Sequence, residues 1–302
     1  MWQQLLNQIK TGDTKALARS ISLVENEQDG YEDFLSGLPH HEQSKIIGIT
    51  GPPGAGKSTL VDGLIEKIIA EEKRVAVLCV DPSSPFNLGS ILGDRIRMSQ
   101  WYTDERVFIR SLATRGSMGG LHPKIIEITE LSKAAGYDYV IIETVGVGQS
   151  EIEIAGLADT TVVVMVPEAG DEVQTMKAGL MEIADVFVVN KSDRPDADTF
   201  IKNLRMMLAP AFSNHKEEIP VIKTTGSQKQ GLSELYEAIK NHLATHHVNE
   251  RKYWLLAEKA WKLIEARRMK DISKLQLADE IKKMDSENFN LYSFAQQYYS
   301  IT

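Results

Sequence analysis

The chain has a single cysteine, Cys79, in 302 residues, so no disulfide can form within it. That excludes a disulfide-stapled fold and suits a reducing compartment. Cys79 lies in the apolar run Val75-Ala76-Val77-Leu78-Cys79-Val80, which reads as a buried strand rather than a redox or metal site. Long apolar runs are missing too: none approaches the roughly 18 residues that a membrane-spanning helix needs. The N-terminal Met1-Trp2-Gln3-Gln4-Leu5-Leu6 has neither the charged start nor the apolar core of a secretion signal. A soluble, cytoplasmic protein is expected. No dense Lys/Arg block is present and the net charge is −8, so neither nucleic acid nor an anionic membrane is an expected partner. The 7 histidines show no metal-ligand spacing, and His40-His41 and His246-His247 read as solvated junctions. Repeats and low-complexity tracts are absent. The remainder, 42% hydrophobic and 25% charged, is ordinary globular composition.

What is present begins with Gly51-Pro52-Pro53-Gly54-Ala55-Gly56-Lys57-Ser58, the spacing GxxxxGK(S/T). The apolar Lys45–Thr50 precedes it, and Thr59 to Ile65 follows with helical apolar spacing. A glycine-rich turn between strand and helix lets backbone N–H groups wrap a phosphate chain, and the helix N-terminus adds partial positive charge. In this reading Lys57 reaches the β- and γ-phosphates and the Ser58 hydroxyl binds Mg²⁺.

Apolar strands alternate with helices from about Lys45 to His247. Strands are expected at 45–50, 74–80, 107–110, 138–143, 161–166, 186–190 and 219–223. Helices are expected near 57–72, 121–135, 173–184, 195–209 and 231–244. The fold class is therefore α/β, a P-loop NTPase with a mostly parallel central sheet flanked by helices, plus helical extensions at both termini. The expected divisions are a helical extension at 1–43, the nucleotide domain at 44–247 and a helical arm at 248–302. Leu5, Ile9, Leu17, Ile21 and Leu23 offer a stripe in the first, with Asp13 or Thr14 as a cap. In the arm, Tyr253, Leu256, Ala260, Trp261 and Ile264 recur at spacings of three and four. Such a stripe packs on the core, forms a dimer interface, or does both.

The second motif is Asn190-Lys191-Ser192-Asp193, after the strand Val186–Val189. The Asp carboxylate can accept from the guanine N1–H and 2-amino group, with the Lys stem over the base face and Asn supporting the loop. Adenine would leave that carboxylate unpaired, so the nucleotide is expected to be GTP, yielding GDP. In Glu143-Thr144-Val145-Gly146, Gly146 can offer its N–H to a γ-phosphate while Glu143 serves the metal. Val147 stands where Ras-like enzymes place a water-orienting Gln, and Gln149 comes two residues later. Slow intrinsic hydrolysis is expected unless Gln149 or a partner supplies that group. Asp81, at a strand end, and Asp94 in Gly93-Asp94-Arg95 complete a candidate Mg²⁺ set with Ser58 and Glu143. Each could instead cap a turn. Ser111 to Gly120 and Glu168 to Gln174 read as loops, and Lys223-Thr224-Thr225-Gly226-Ser227 as a loop behind the base.

Read in order, GPPGAGKST, DPSSP with GSILGDR, ETVGVGQSE, GDEVQTMKAG and NKSD resemble the methylmalonyl-CoA mutase-associated GTPases of the MeaB/ArgK type. The resemblance runs from Leu17 to the helical C-terminus. It implies a homodimeric P-loop GTPase that assists an adenosylcobalamin-dependent acyl-CoA mutase, gating cofactor loading or protecting the mutase from inactivation. By resemblance, Gly51 to Thr59 hold the phosphates and Lys57, Gly146 and Gln149 act in hydrolysis. Ser58, Asp81, Asp94 and Glu143 serve Mg²⁺. Asn190, Lys191 and Asp193 read guanine, with Thr225, Gly226 and Ser227 behind it. Residues 147–157 resemble a switch, and 168–182 a further switch that senses the mutase through Asp171, Glu172 and Lys177. Pro85-Phe86-Asn87 departs from the polar stretch expected there. The competing readings are a kinase, after the arginine/ornithine transport label some relatives carry, and a GTP-dependent scaffold without turnover. A kinase needs a general base beside an acceptor pocket, and no such constellation is evident.

Overall fold

In the computed structural model the described residues are 1–41, 43–81, 98–114, 121–146, 150–167, 178–212, 219–245, 249–284 and 289–298. Seven strands form one sheet: β1 (Lys45–Thr50), β2 (Val75–Asp81), β3 (Val107–Ala113), β4 (Tyr139–Glu143), β5 (Thr160–Met165), β6 (Val186–Val189) and β7 (Val221–Lys223). Their order is β3-β2-β4-β1-β5-β6-β7, and every neighbouring pair is parallel. β2 and β5 are buried at every residue, which is why they read as unbroken apolar runs in place of alternating ones.

Alternate residues of each strand face opposite layers. On one side Val186 and Val188 join a core built from the helix Lys57–Ala70 (Leu60, Leu64, Ile68) and the helix Leu232–Ala244 (Leu235, Ile239). On the other, Phe187 and Val189 pack with Phe200, Leu204 and Leu208 of the helix Ala197–Phe212. From β1 the chain crosses to β2, skipping the position that β4 later fills, whereas β5 lies on the other side of β1. The carboxyl ends of β1, β4 and β2 thus converge at the switch point of the strand order, where open α/β sheets hold ligands.

The N-terminal helices Trp2–Lys10, Thr14–Glu25 and Tyr31–Ser36 bury Leu5, Ile9, Leu17, Ile21 and Val24. Val24 replaces the expected Leu23, which is only half-buried, because the helix turns that neighbour inward. Asp13 is the cap: its Oδ1 accepts from Lys15 N (2.8 Å) and Ala16 N (3.0 Å). Glu25 pairs with Arg110 of β3 (2.6 Å) and lies 3.4 Å from His122 Nε2.

Two expectations are corrected. Ser111, Leu112 and Ala113 belong to β3, paired with Cys79, Val80 and Asp81, and not to a loop. A helix Ser150–Leu157, absent from the expected helices, follows the Glu143 segment. The chain divides into two compact units, Met1–Tyr253 and Trp254–Thr302. The helix Glu250–Arg268 starts before this division, and none of its residues is buried. Tyr253, Trp254, Trp261 and Ile264 are all more than half exposed, at 66%, 79%, 69% and 53%. The second unit also holds Lys274–Lys283, opened by a Ser273/Gln276 capping box, and Leu291–Gln296, whose Phe294 meets Phe289 and Tyr298. Among the described residues no helix is long and apolar enough to cross a membrane.

Candidate functional site

β1 delivers the chain to Gly51, and the helix Lys57–Ala70 begins at the lysine itself. Between them, Gly56 has φ 89° and faces Asn190: a Cβ there would stand 2.3 Å from Asn190 Nδ2, so only glycine fits. Lys57 is buried, and its ammonium donates to Gly51 O (2.8 Å) and Pro52 O (3.1 Å). The lysine is thereby held over the loop it belongs to. The Ser58 hydroxyl donates to Glu143 Oε1 at 2.7 Å, tying the start of the helix to the end of β4.

Past Glu143, Thr144 N donates to Ile49 O (3.0 Å), and the two hydroxyls Thr50 Oγ1 and Thr144 Oγ1 bond at 2.8 Å. The chain then reaches Gly146, with φ 86°. A Cβ on Gly146 would lie 2.0 Å from Gly51 O and 2.7 Å from Lys57 Nζ. Lys57 and Gly146 are therefore brought together beside the Gly51 carbonyl.

Asn190 is buried at the end of β6 and bonds three elements at once. Its Nδ2 donates to Ala55 O (2.8 Å), while its Oδ1 accepts from Thr224 Oγ1 (3.1 Å) and Gly226 N (3.0 Å). Lys191 takes a left-handed backbone, φ 57°, and Ser192 N donates to Thr224 O (3.0 Å). That turn sets Asp193, exposed, at a cavity of about 470 Å³ shared with Ser192, Thr224, Thr225 and Glu234. Thr225 and Gly226 are buried behind Asn190, whereas Ser227 is exposed. The phosphate loop and the base loops are thus one bonded assembly.

The oxygen donors at the β1, β2 and β4 ends suit a hard cation. Ser58 and Glu143 are already in contact, and Asp81 is buried at the end of β2. Among the described residues no cluster of three or more His, Cys, Asp or Glu is gathered. Mg²⁺ asks for less, since it retains waters and shares phosphate oxygens. Asp94, Val147, Gln149, Pro85-Phe86-Asn87, Asp171, Glu172 and Lys177 lie outside the described residues. Sequence reading gave no role to Thr50 or Thr144, and placed Thr224 only as part of the loop behind the base. The available signal was a hydroxyl residue at or just past the ends of β1, β4 and β7, legible only once the strand order is known.

A parallel sheet with a phosphate loop after β1 and an Asn-Lys-x-Asp turn after β6 defines a P-loop GTPase. The chain belongs to the family described as "Methylmalonyl Co-A mutase-associated GTPase MeaB", whose model matches residues 17–280. It is 38% identical over 244 residues to GTPase ArgK of Escherichia coli, covering 78% of this chain and 73% of that one. It is 34% identical over 235 residues to the mouse "Methylmalonic aciduria type A homolog, mitochondrial", covering 72% and 55%. A crystal structure of an LAO/AO transport system kinase superposes with a TM-score of 0.69 at 25% identity, covering 98% of this chain and 97% of that one.

Proposed function

We propose that this protein is a GTP-hydrolysing switch serving an adenosylcobalamin-dependent acyl-CoA mutase of the methylmalonyl-CoA mutase type. The observation that carries the hydrolytic half is Asn190, whose amide joins the phosphate loop to the base loops. Occupancy of the base site and alignment of the phosphates are thereby one event. The family description and the name of the mouse relative support the mutase half.

In this reading Asp193 accepts from guanine, Lys191 covers its face, and Thr225, Gly226 and Ser227 stand behind it. The backbone from Gly51 to Thr59 cradles the phosphates. Ser58, Asp81, Asp94 and Glu143 would hold Mg²⁺ directly or through water; when bound, the ion supplies positive charge beside the phosphate oxygens. Water attacks the γ-phosphorus, the bond to the bridging oxygen of GDP breaks, and phosphate and a proton leave. Lys57 and the Gly146 N–H stabilise the charge on the transferred group. With Val147 after Gly146, Gln149 or the partner completes the alignment of the water, so turnover alone is slow. A second copy of this chain is the further partner, and the cytoplasm the expected compartment.

Phosphate release from GTP and from ATP, each with and without a methylmalonyl-CoA mutase, tests this reading. GTP should be preferred at least about a hundredfold, since a site built to bond a donor pair rejects a base lacking it. The mutase should raise the rate. Label passing to an acceptor in place of water would establish the kinase instead, and release insensitive to the mutase would remove the partnership.

A further inference from the structure

We propose that Thr50 and Thr144 are a pair of positioning residues that keep Gly146 aligned for hydrolysis throughout the nucleotide cycle. The inference rests on the hydrolytic reading above. Thr50 is the last residue of β1 and Thr144 the first beyond β4, and both are buried, at 0% and 2% exposure. Their hydroxyls bond at 2.8 Å, one step past the register pair Ile49 and Glu143. The bond therefore lies immediately before Gly51, whose carbonyl receives Lys57, and just before Gly146, where an added Cβ would fall 2.0 Å from that same carbonyl oxygen. It sets the spacing between the phosphate loop and the N–H offered to the γ-phosphate.

A second side-chain bond crosses the same gap, from Ser58 to Glu143. Both of its members are drawn into the proposed Mg²⁺ set, so that bond changes partners when nucleotide is loaded. Neither threonine belongs to the phosphate or metal set. Their bond can persist in every state and supplies a constant reference for Gly146. Contacts formed fully only as the phosphoryl group transfers are the ones sensitive to such alignment. Loss of the bond should lower kcat while leaving ground-state affinity in place.

The full-length chain carrying Thr144→Val, Thr50→Val, both together, or Thr144→Ser distinguishes the possibilities. Measured quantities are phosphate release at saturating GTP, KM, affinity for a fluorescent GDP, and Tm. Each single valine should reduce kcat about tenfold or more, with KM and GDP affinity within about twofold, because a small displacement is costly in the transition state. Thr144→Ser should retain most of the rate. The double valine removes both hydroxyls and leaves neither unpaired, so its Tm should recover relative to the single variants. Its kcat should stay low and fall no further than a single variant's. If kcat recovers in step with Tm, or if Thr144→Val turns over normally, the pair is only structural and the proposal fails. A wild-type protein that binds GDP but releases no phosphate overturns the hydrolytic reading and this inference together.

Discussion

At the scale of single residues, the site is governed by where each carboxylate finds its partner. Asp193 is exposed at its cavity, and in the proposed function it accepts the donor pair of guanine. Asp193→Asn should exchange preference from guanosine toward xanthosine nucleotides, with GTP affinity falling about tenfold to a hundredfold by titration, the loss expected of a charged hydrogen bond. Lys57→Ala should reduce phosphate release about a hundredfold or more, the usual result of removing a fixed charge stabiliser. Normal turnover would remove Lys57 from the mechanism.

Glu25 makes the opposite use of its charge. Burial pushes its carboxyl up, but His122 and Arg110 outweigh that and hold it below the usual carboxylate range. A carboxyl lowered on folding contributes stability that is complete above its unfolded pKa of about 4.5 and is lost as pH falls through the folded value. Glu25→Gln should cost about 3 kcal/mol in urea unfolding at neutral pH, because Arg110 loses its partly buried counter-charge. The gap between variant and wild type should narrow on acidification below that range.

At the scale of elements, caps and periodicity decide what forms. Asp13 satisfies two amides at the start of Thr14–Glu25, so Asp13→Ala should cost about 1 kcal/mol, read as a lower Tm. This cap was legible in the sequence, as were the phosphate loop, the Asn-Lys-x-Asp turn and all seven strands, because each is written in contiguous residues. The helix Ser150–Leu157 was not. Its core-facing Ile154 and Leu157 sit in a short stretch with apolar residues all round, so no stripe announces it. β3 was read too short for a related reason. The polar Ser111 ended the expected run at Arg110, whose guanidinium is held by Glu25 and Ser22, far off in the chain. The triple contact of Asn190 and the pairing of Thr50 with Thr144 depend likewise on strand order, which no local pattern encodes.

At the scale of the whole molecule, the apolar stripe on Glu250–Arg268 leaves Trp261 and Ile264 exposed. We propose that a second copy of the chain covers it. Trp261→Glu combined with Ile264→Glu should then shift the protein to a monomer in sedimentation velocity while leaving GDP binding unchanged. A dimer that survives both charges would place the interface elsewhere.

Cys79, the one thiol of the chain, is sealed inside β2. The outer surface is consequently a blank background for maleimide dyes and spin labels. A cysteine introduced at exposed Tyr102 or Met206 would be the only one such a reagent meets while the fold is intact. Labelling of the unaltered protein would then itself report that the central sheet has opened.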